Sequence, residues 1–224
     1  MICDLYGQAQ ELAAQGVYLV SLDEKTGIQA LEHLHPKAPM AFGQPERREF
    51  EYIRHGTLAL IASFDVATGT ILPPSIGPTR TEEDLAEHVE ACLSTDPDAS
   101  WIFIMDQLNT HKSEALVRLF AKHMGLQQDL GVKGRRGILM TMQTRMDFLS
   151  NPSHRLRIVY TPKHCSWLNQ IEIWFSILAR RVLRRGSFAS LDQLEHKLRH
   201  FIAYFNHCLA KPFKWTYRGR PLQA

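Results

Sequence analysis

The order of the apolar runs restricts this fold more than any other feature of the sequence. Tyr18 to Leu22, Thr57 to Val66, Trp101 to Met105 and Leu156 to Tyr160 are short, apolar and bounded by turn residues, as buried strands are. Thr70 to Leu72 reads as a shorter strand returning from the Ala67-Thr68-Gly69 turn and stopped by Pro73-Pro74, which predicts a hairpin with Thr57 to Val66. The first run ends at Asp23 and leads into the turn-like Glu24-Lys25-Thr26-Gly27, and residues 33–51 read as a loop. Helical patterns come later. Thr81-Glu82-Glu83-Asp84 is a capping signature opening a helix to about Leu93. Further helices are predicted over Ser113 to His123, Ile138 to Leu149, Asn169 to Arg185 (closed by Gly186) and Ser190 to Leu209. Three successive strands suit an antiparallel meander; strands alternating with helices suit parallel pairing. The expectation is an α/β chain with a mixed five-stranded sheet and helices on both faces.

Composition excludes several classes. With 45% hydrophobic and 22% charged residues over 224 positions the chain is globular, neither disordered nor fibrous. No apolar run approaches the ~18 residues of a membrane span, and Met1 to Gly16, with Asp4 and Glu11, lacks a signal peptide's layout. Cys3, Cys92, Cys165 and Cys208 are far apart and suit reduced thiols, so a cytoplasmic location is expected. Charge is uneven. Residues 151–224 hold 13 Lys/Arg against three acids, Glu172, Asp192 and Glu195, a balance of +10; the net charge of +3 leaves −7 for residues 1–150. A basic C-terminal third suits a polyanionic partner such as nucleic acid, or else a solvated basic helix face.

Three carboxylates occupy matching positions. Asp23 ends the first strand, Asp106 ends the fourth, and Glu172 lies in the first turn of the helix after the fifth. Ligands of open sheets collect at such strand ends. Three converging carboxylates repel one another without a cation, and hard oxygen donors suit Mg²⁺ or Mn²⁺. Each carboxylate also has a local reading: Asp23 initiating the Glu24–Gly27 turn, Asp106 capping the next helix, and Glu172 closing a capping box with Asn169.

The surrounding motifs carry a resemblance. Ser21-Leu22-Asp23-Glu24-Lys25, Asp106-Gln107-Leu108-Asn109-Thr110-His111-Lys112 and Trp167-Leu168-Asn169-Gln170-Ile171-Glu172-Ile173-Trp174-Phe175 resemble, in that order, the three signatures of DDE transposases of bacterial insertion sequences related to mariner elements. Arg184-Arg185-Gly186-Ser187-Phe188 and the segment from Lys211 to Tyr217 extend the resemblance to nearly the whole chain. It implies a ribonuclease-H-like fold, two divalent ions (Mg²⁺ or Mn²⁺) held by Asp23, Asp106 and Glu172 as catalytic residues, hydrolytic nicking at transposon ends, and strand transfer into target DNA. Double-stranded DNA and a homodimer in the DNA complex are the implied partners, with a nucleoid-associated location.

The sequence departs from the family at Gln107, where Asn is frequent, and at Gln170, where Pro is frequent. Asp106 and Glu172 are 66 positions apart, widened by an insertion at about 125–155 that can emerge as a surface excursion. Residues 1–16 read as the remnant of an N-terminal linker before a catalytic domain over 17–224. They are too few for the helix-turn-helix domain of relatives, so the chain reads as a fragment, a split frame or a truncated element, with that domain separate or lost.

Candidate phosphate contacts are Lys25, His111, Lys112, Arg180, Arg181, Arg184, Arg185, Lys214 and Arg218. His111 suits that role, orienting a carboxylate, or a solvated start of the next helix. The aromatic tail of Phe213, Trp215 and Tyr217 suits base stacking, a partner subunit or covering the core. His196 and His200 have the spacing of helical zinc ligands but no second pair beside them. Two other readings stay open: a ribonuclease-H-like nuclease without strand transfer, and a non-catalytic DNA-binding remnant.

Overall fold

The computed structural model describes residues 2–35, 40–45 and 51–217. Within these residues five strands, β1 (Val17–His33), β2 (Tyr52–Asp65), β3 (Ser75–Gly77), β4 (Ser100–Met105) and β5 (Leu156–Tyr160), form one sheet in the order β3-β2-β1-β4-β5. β1 pairs antiparallel with β2, and β2 with β3; β4 runs parallel to β1 and to β5. The meander followed by parallel strands is the expected arrangement. Among the described residues, seven α-helices accompany it: α1 (Ile2–Gly7), α2 (Ala9–Ala14), α3 (Glu82–Leu93), α4 (Glu114–His123), α5 (Met142–Leu149), α6 (Ile171–Leu178) and α7 (Leu191–Cys208).

Each sheet face buries its own apolar cluster. On one side Leu19, Leu60, Phe64 and Ile104 meet Trp174, Leu178, Leu198 and Phe205 of α6 and α7. On the other, Val20, Leu22, Phe103 and Ile158 meet Val89, Leu116 and Phe120 of α3 and α4, together with Phe148 and Leu149 of α5. The alternation along β1 and β4 sends successive side chains to opposite faces. Helix starts follow the local signals. Thr81 and Asp84 close a capping box on α3, and the Ser113 hydroxyl accepts from Leu116 N at the start of α4.

Three local expectations give way. Glu24 to Gly27 is not a turn: β1 runs straight through it to His33, and Gly27, at φ +64°, absorbs a bulge between Lys25 and Ile28. Asp23 therefore lies inside a long strand. The third strand is Ser75–Gly77, beyond Pro73-Pro74; Thr70 to Leu72 makes only a bridge through Ile71 to Phe64. The helix drawn from Asn169 to Arg185 is α6 followed by a π-helical segment, Ala179–Leu183, closed by Arg184 N donating to Ala179 O at 2.8 Å. Residues 2–14 form the two short helices α1 and α2, from which Ile2, Tyr6 and Ala9 enter the core. Within 125–155 the part from Leu139 onward packs under the sheet: Arg145 is buried and donates to the carbonyls of Lys112 and Leu139 at 2.7 and 2.9 Å. Among the described residues, no helix is long and apolar enough to cross a membrane.

Candidate metal centre

The parallel register pairs Ser21 on β1 with Ile104 on β4. Two residues further along each chain come Asp23 and Asp106, so adjacent strands deliver both aspartates to the same edge of the sheet. Asp23 is 8% exposed. Burial, with the negative charge of Asp106 adding to it, raises its carboxyl to about 7, although Glu24 N donates to Asp23 Oδ1 at 2.8 Å. Asp106 is half-exposed and is held low, first by its hydrogen bond with His111 (Nδ1 to Oδ1, 2.8 Å) and also by Leu108 N donating to it at 2.9 Å. That Asx turn carries the chain towards the 3₁₀ turn Thr110–Lys112. Asp106 does not cap α4, whose cap is Ser113.

His111 is fully buried and both of its nitrogens are engaged. Nδ1 faces Asp106, and Nε2 lies 3.0 Å from Glu24 Oε2. Burial disfavours the imidazolium, but the two carboxylates outweigh burial and lift its pKa to about 10. Glu24 has the pattern of a charged turn residue, and nothing local in the sequence singles it out. In the fold its side chain is 1% exposed, and its Oε1 is buried without a hydrogen-bond partner. Donor atoms of Asp23, Glu24 and His111 lie within 4.8 Å of one another. Among the described residues no other group of three such donors forms; His196 and His200 stack at 4.5 Å between ring centroids without a third donor. Asp23, the orphaned Glu24 oxygen and His111, with Asp106 bonded to His111 beside them, make a largely anionic donor set whose carboxylate oxygens suit Mg²⁺ or Mn²⁺.

Glu172 opens α6 and is exposed. The capping box with Asn169 does not form. The Asn169 side chain is fully buried and turned to β1: Ser21 Oγ donates to its Oδ1, and its Nδ2 donates to the Leu22 carbonyl at 2.8 Å and lies 3.4 Å from Asp23 Oδ2. Ile171 N donates to Ser21 Oγ at 2.9 Å. The first turn of α6 is thereby pinned beside Asp23, and the Glu172 carboxylate has no role as a cap. The departure at Gln170 is accommodated by backbone already suited to proline, with φ −62° at Gln170 and extended Asn169 before it. The Gln170 side chain is fully buried with both amide atoms unpartnered. Gln107 donates to the Thr161 carbonyl at 3.0 Å.

The expected phosphate contacts are scattered. Lys25 Nζ sits 5.8 Å above the Phe175 ring, and Lys112 Nζ lies 3.4 Å from Gln107 Oε1. Arg180, Arg181, Arg184 and Arg185 are exposed on or just after the π-helical segment, and Lys214 is exposed on the tail. Arg218 lies outside the described residues. Phe213 stacks on Phe64, and Trp215 packs on Tyr6, so this part of the tail covers the core.

Comparison with known proteins agrees with this geometry. No curated protein sequence matches the chain. Solved structures that share its fold include three of the Mos1 transposase. These are a Mos1 transposase paired-end complex with left transposon end (TM-score 0.53, 14% identity, 90% of this chain, 52% of that one), a Mos1 mariner paired-end complex with Mn (0.51, 13%, 90% and 53%), and the catalytic domain of Mos1 mariner transposase (0.52, 11%, 90% and 78%). The chain thus spans about half the length of the transposase chains in the paired-end complexes. At these identities the likeness is one of fold, and it agrees with the expected ribonuclease-H-like sheet. The family described as DDE superfamily endonuclease matches residues 18–195, from the start of β1 into α7 and across all three acidic motifs. By that match this chain belongs to the DDE superfamily endonucleases.

Proposed function

We propose that this chain is the catalytic domain of a transposase that cuts DNA at transposon ends and transfers the freed 3′-hydroxyl strand into target DNA. The observation that carries the reading is the pair of aspartates on adjacent strands, buried Asp23 within β1 and half-exposed Asp106 just after β4, which the parallel register brings to one edge of the sheet within a family-matched DDE frame. Asp23, Asp106 and Glu172 would hold two divalent ions. When bound, such ions activate the attacking oxygen and stabilise the leaving one in phosphodiester displacement. The Mn²⁺ of a mariner relative supports divalent chemistry. Within the chain, His111 holds Asp106 and Glu24 holds His111, while Asn169 and Ile171 tie the start of α6 to β1; Glu172, exposed one residue further on, would join the aspartates when metal binds.

Duplex DNA, as transposon inverted repeat and as target, is the proposed partner, and the complex of the Mos1 relative with its left transposon end supports it. A homodimer in the DNA complex, a helix-turn-helix domain outside this sequence, and a cytoplasmic, nucleoid-associated location complete the reading. Residues 17–224 form the catalytic unit in this proposal, with residues 125–155 as its insertion and residues 1–16 as a linker remnant. Lys25, Lys112, Arg180, Arg181, Arg184, Arg185, Lys214 and Arg218 are its phosphate contacts; His111 joins them only if it leaves its buried bridge.

The test is cleavage of a duplex carrying the inverted repeat that flanks the coding sequence, with Mg²⁺ or Mn²⁺, by the parent, Asp106→Asn and Glu172→Gln. Cutting by the parent alone is the expected result. Cutting of an RNA–DNA hybrid but not of the end duplex moves the reading to a nuclease without strand transfer. Binding without cutting by all three proteins moves it to a DNA-binding remnant.

A further inference from the structure

The charge imbalance of the last third has a definite location. Between the π-helical segment and α7 lies an open groove of about 580 Å³, lined by Arg180, Arg181, Arg185, Lys197, His200 and Tyr204, with Val182 and Phe201 as its apolar floor. Among the described residues, no carboxylate lines it. Lys197, His200 and Tyr204 are three and four positions apart, so α7 presents them along one stripe. Glu195, the acid nearest to them in sequence, is engaged with Arg199 at 2.8 Å. Among the described residues, Arg181 and Lys197 have no hydrogen-bond or ion-pair partner, and the Nε of Arg180 meets only the Ser176 carbonyl, at 3.2 Å. Pi-helical turns are rare and concentrate at functional sites. This one holds Arg180 and Arg181 over the buried Val182 at the lip of the groove.

We infer that this groove carries the sugar–phosphate backbone of duplex DNA, as a track separate from the carboxylate cleft. The inference rests on the proposed DNA-cutting function and specifies where the substrate lies beyond the site of cleavage. The unpaired Arg181 and Lys197 charges beside the other groove cations repel one another, and a polyanion relieves that repulsion while releasing its own condensed counter-ions. The exposed Tyr204 hydroxyl adds a neutral donor of the kind that contacts phosphate oxygens. The spacing also fits. Arg180 and Arg181 follow Glu172 by eight and nine residues, roughly 12–14 Å along the helix axis at about 1.5 Å per residue. One turn of duplex is about 34 Å long, so a backbone leaving the cleft reaches the groove within half a turn. An adjoining groove containing Lys211 continues past the same two arginines.

The experiment measures binding of the full chain to a fluorescent duplex oligonucleotide in EDTA, so that cleavage does not interfere, across a salt series. Arg181→Gln, Lys197→Gln and their double variant remove groove charges. Arg181→Lys keeps the charge at one of these positions. Arg118→Gln on α4, which packs on the other face of the sheet, removes an exposed charge elsewhere. Each lost phosphate contact lowers the slope of log affinity against log salt by about 0.9. The expected double variant therefore loses nearly two units of slope and about tenfold in low-salt affinity, while Arg181→Lys and Arg118→Gln keep the parental slope. If the parent binds duplex and the groove variants behave like Arg118→Gln, the groove assignment is wrong and the DNA-cutting reading stands. Slopes that fall for single-stranded DNA but not for duplex overturn the duplex as occupant. A parent that binds no duplex at any salt removes both the groove and the reading beneath it.

Discussion

Replacing His88 by glutamine is expected to change how stability depends on pH, in a direction set by the core around it. His88 lies on α3 with no exposed surface, and Ser63 Oγ and Ser75 Oγ face its two nitrogens at 2.8 and 3.1 Å. A neutral imidazole serves both hydroxyls. Burial excludes the cation and lowers the pKa from 6.5 to about 4. The folded protein refuses a proton that the unfolded chain accepts, so the stabilisation is fully present above pH 6.5, falls as pH drops towards 4, and levels off below. At 1.36 kcal/mol per pKa unit, that span is worth roughly 3 kcal/mol. The parental curve masks this loss because Asp23 works in the opposite sense. Its folded pKa, raised from 3.8 to about 7, adds stability as pH falls through the same window. Subtracting the parent from His88→Gln cancels Asp23 and leaves His88 alone. The assay is urea denaturation in EDTA from about pH 8 to about pH 4. Above pH 7 the difference between the two proteins is expected to be constant. Below pH 6.5 the variant should gain on the parent by roughly 1.4 kcal/mol per pH unit. A difference that stays flat over the whole range refutes the reasoning, because His88 would then titrate alike in both states.

Three further outcomes follow from the site. Asn169→Ala leaves the Leu22 carbonyl without its side-chain donor and unpins α6, so urea melts should show a loss of about 2–4 kcal/mol, accompanied by weaker Mn²⁺ binding by calorimetry; unaltered Mn²⁺ affinity would separate Asn169 from the metal centre. His111→Leu strands the buried Glu24 carboxylate and is expected to cost about 3–5 kcal/mol. Adding Glu24→Gln to it should recover part of that loss, and strict additivity of the two substitutions would contradict the buried bridge. Gln170→Met removes a buried amide with no partner and keeps its volume, so the melting midpoint should rise by the equivalent of about 1–2 kcal/mol; a fall would mean that the amide is satisfied in solution.

Helix caps and strand cores needed only near neighbours to be read. Thr81 with Asp84, Ser113 before α4, and the apolar runs of β4 and β5 act through contacts within a few residues, and those patterns survive in the linear order of the chain. Asp106 was visible in the same way at the end of an apolar run, whereas β1 continues past Asp23 and Glu172 lies within α6. Other features were decided by partners far away in sequence. β1 passes through an apparent turn because β2 offers it a long edge to pair with and Gly27 takes up the extra residue. Asn169 has a capping spacing, but Ser21 and Leu22, nearly 150 positions earlier, claim its side chain. Glu24 looks like a solvated acid until His111, 87 positions away, covers it. Local patterns thus determined the kinds of most elements and their order. The tertiary structure alone decided which polar groups lost water together, since desolvation depends on what packs against a group in space and leaves no period in the sequence.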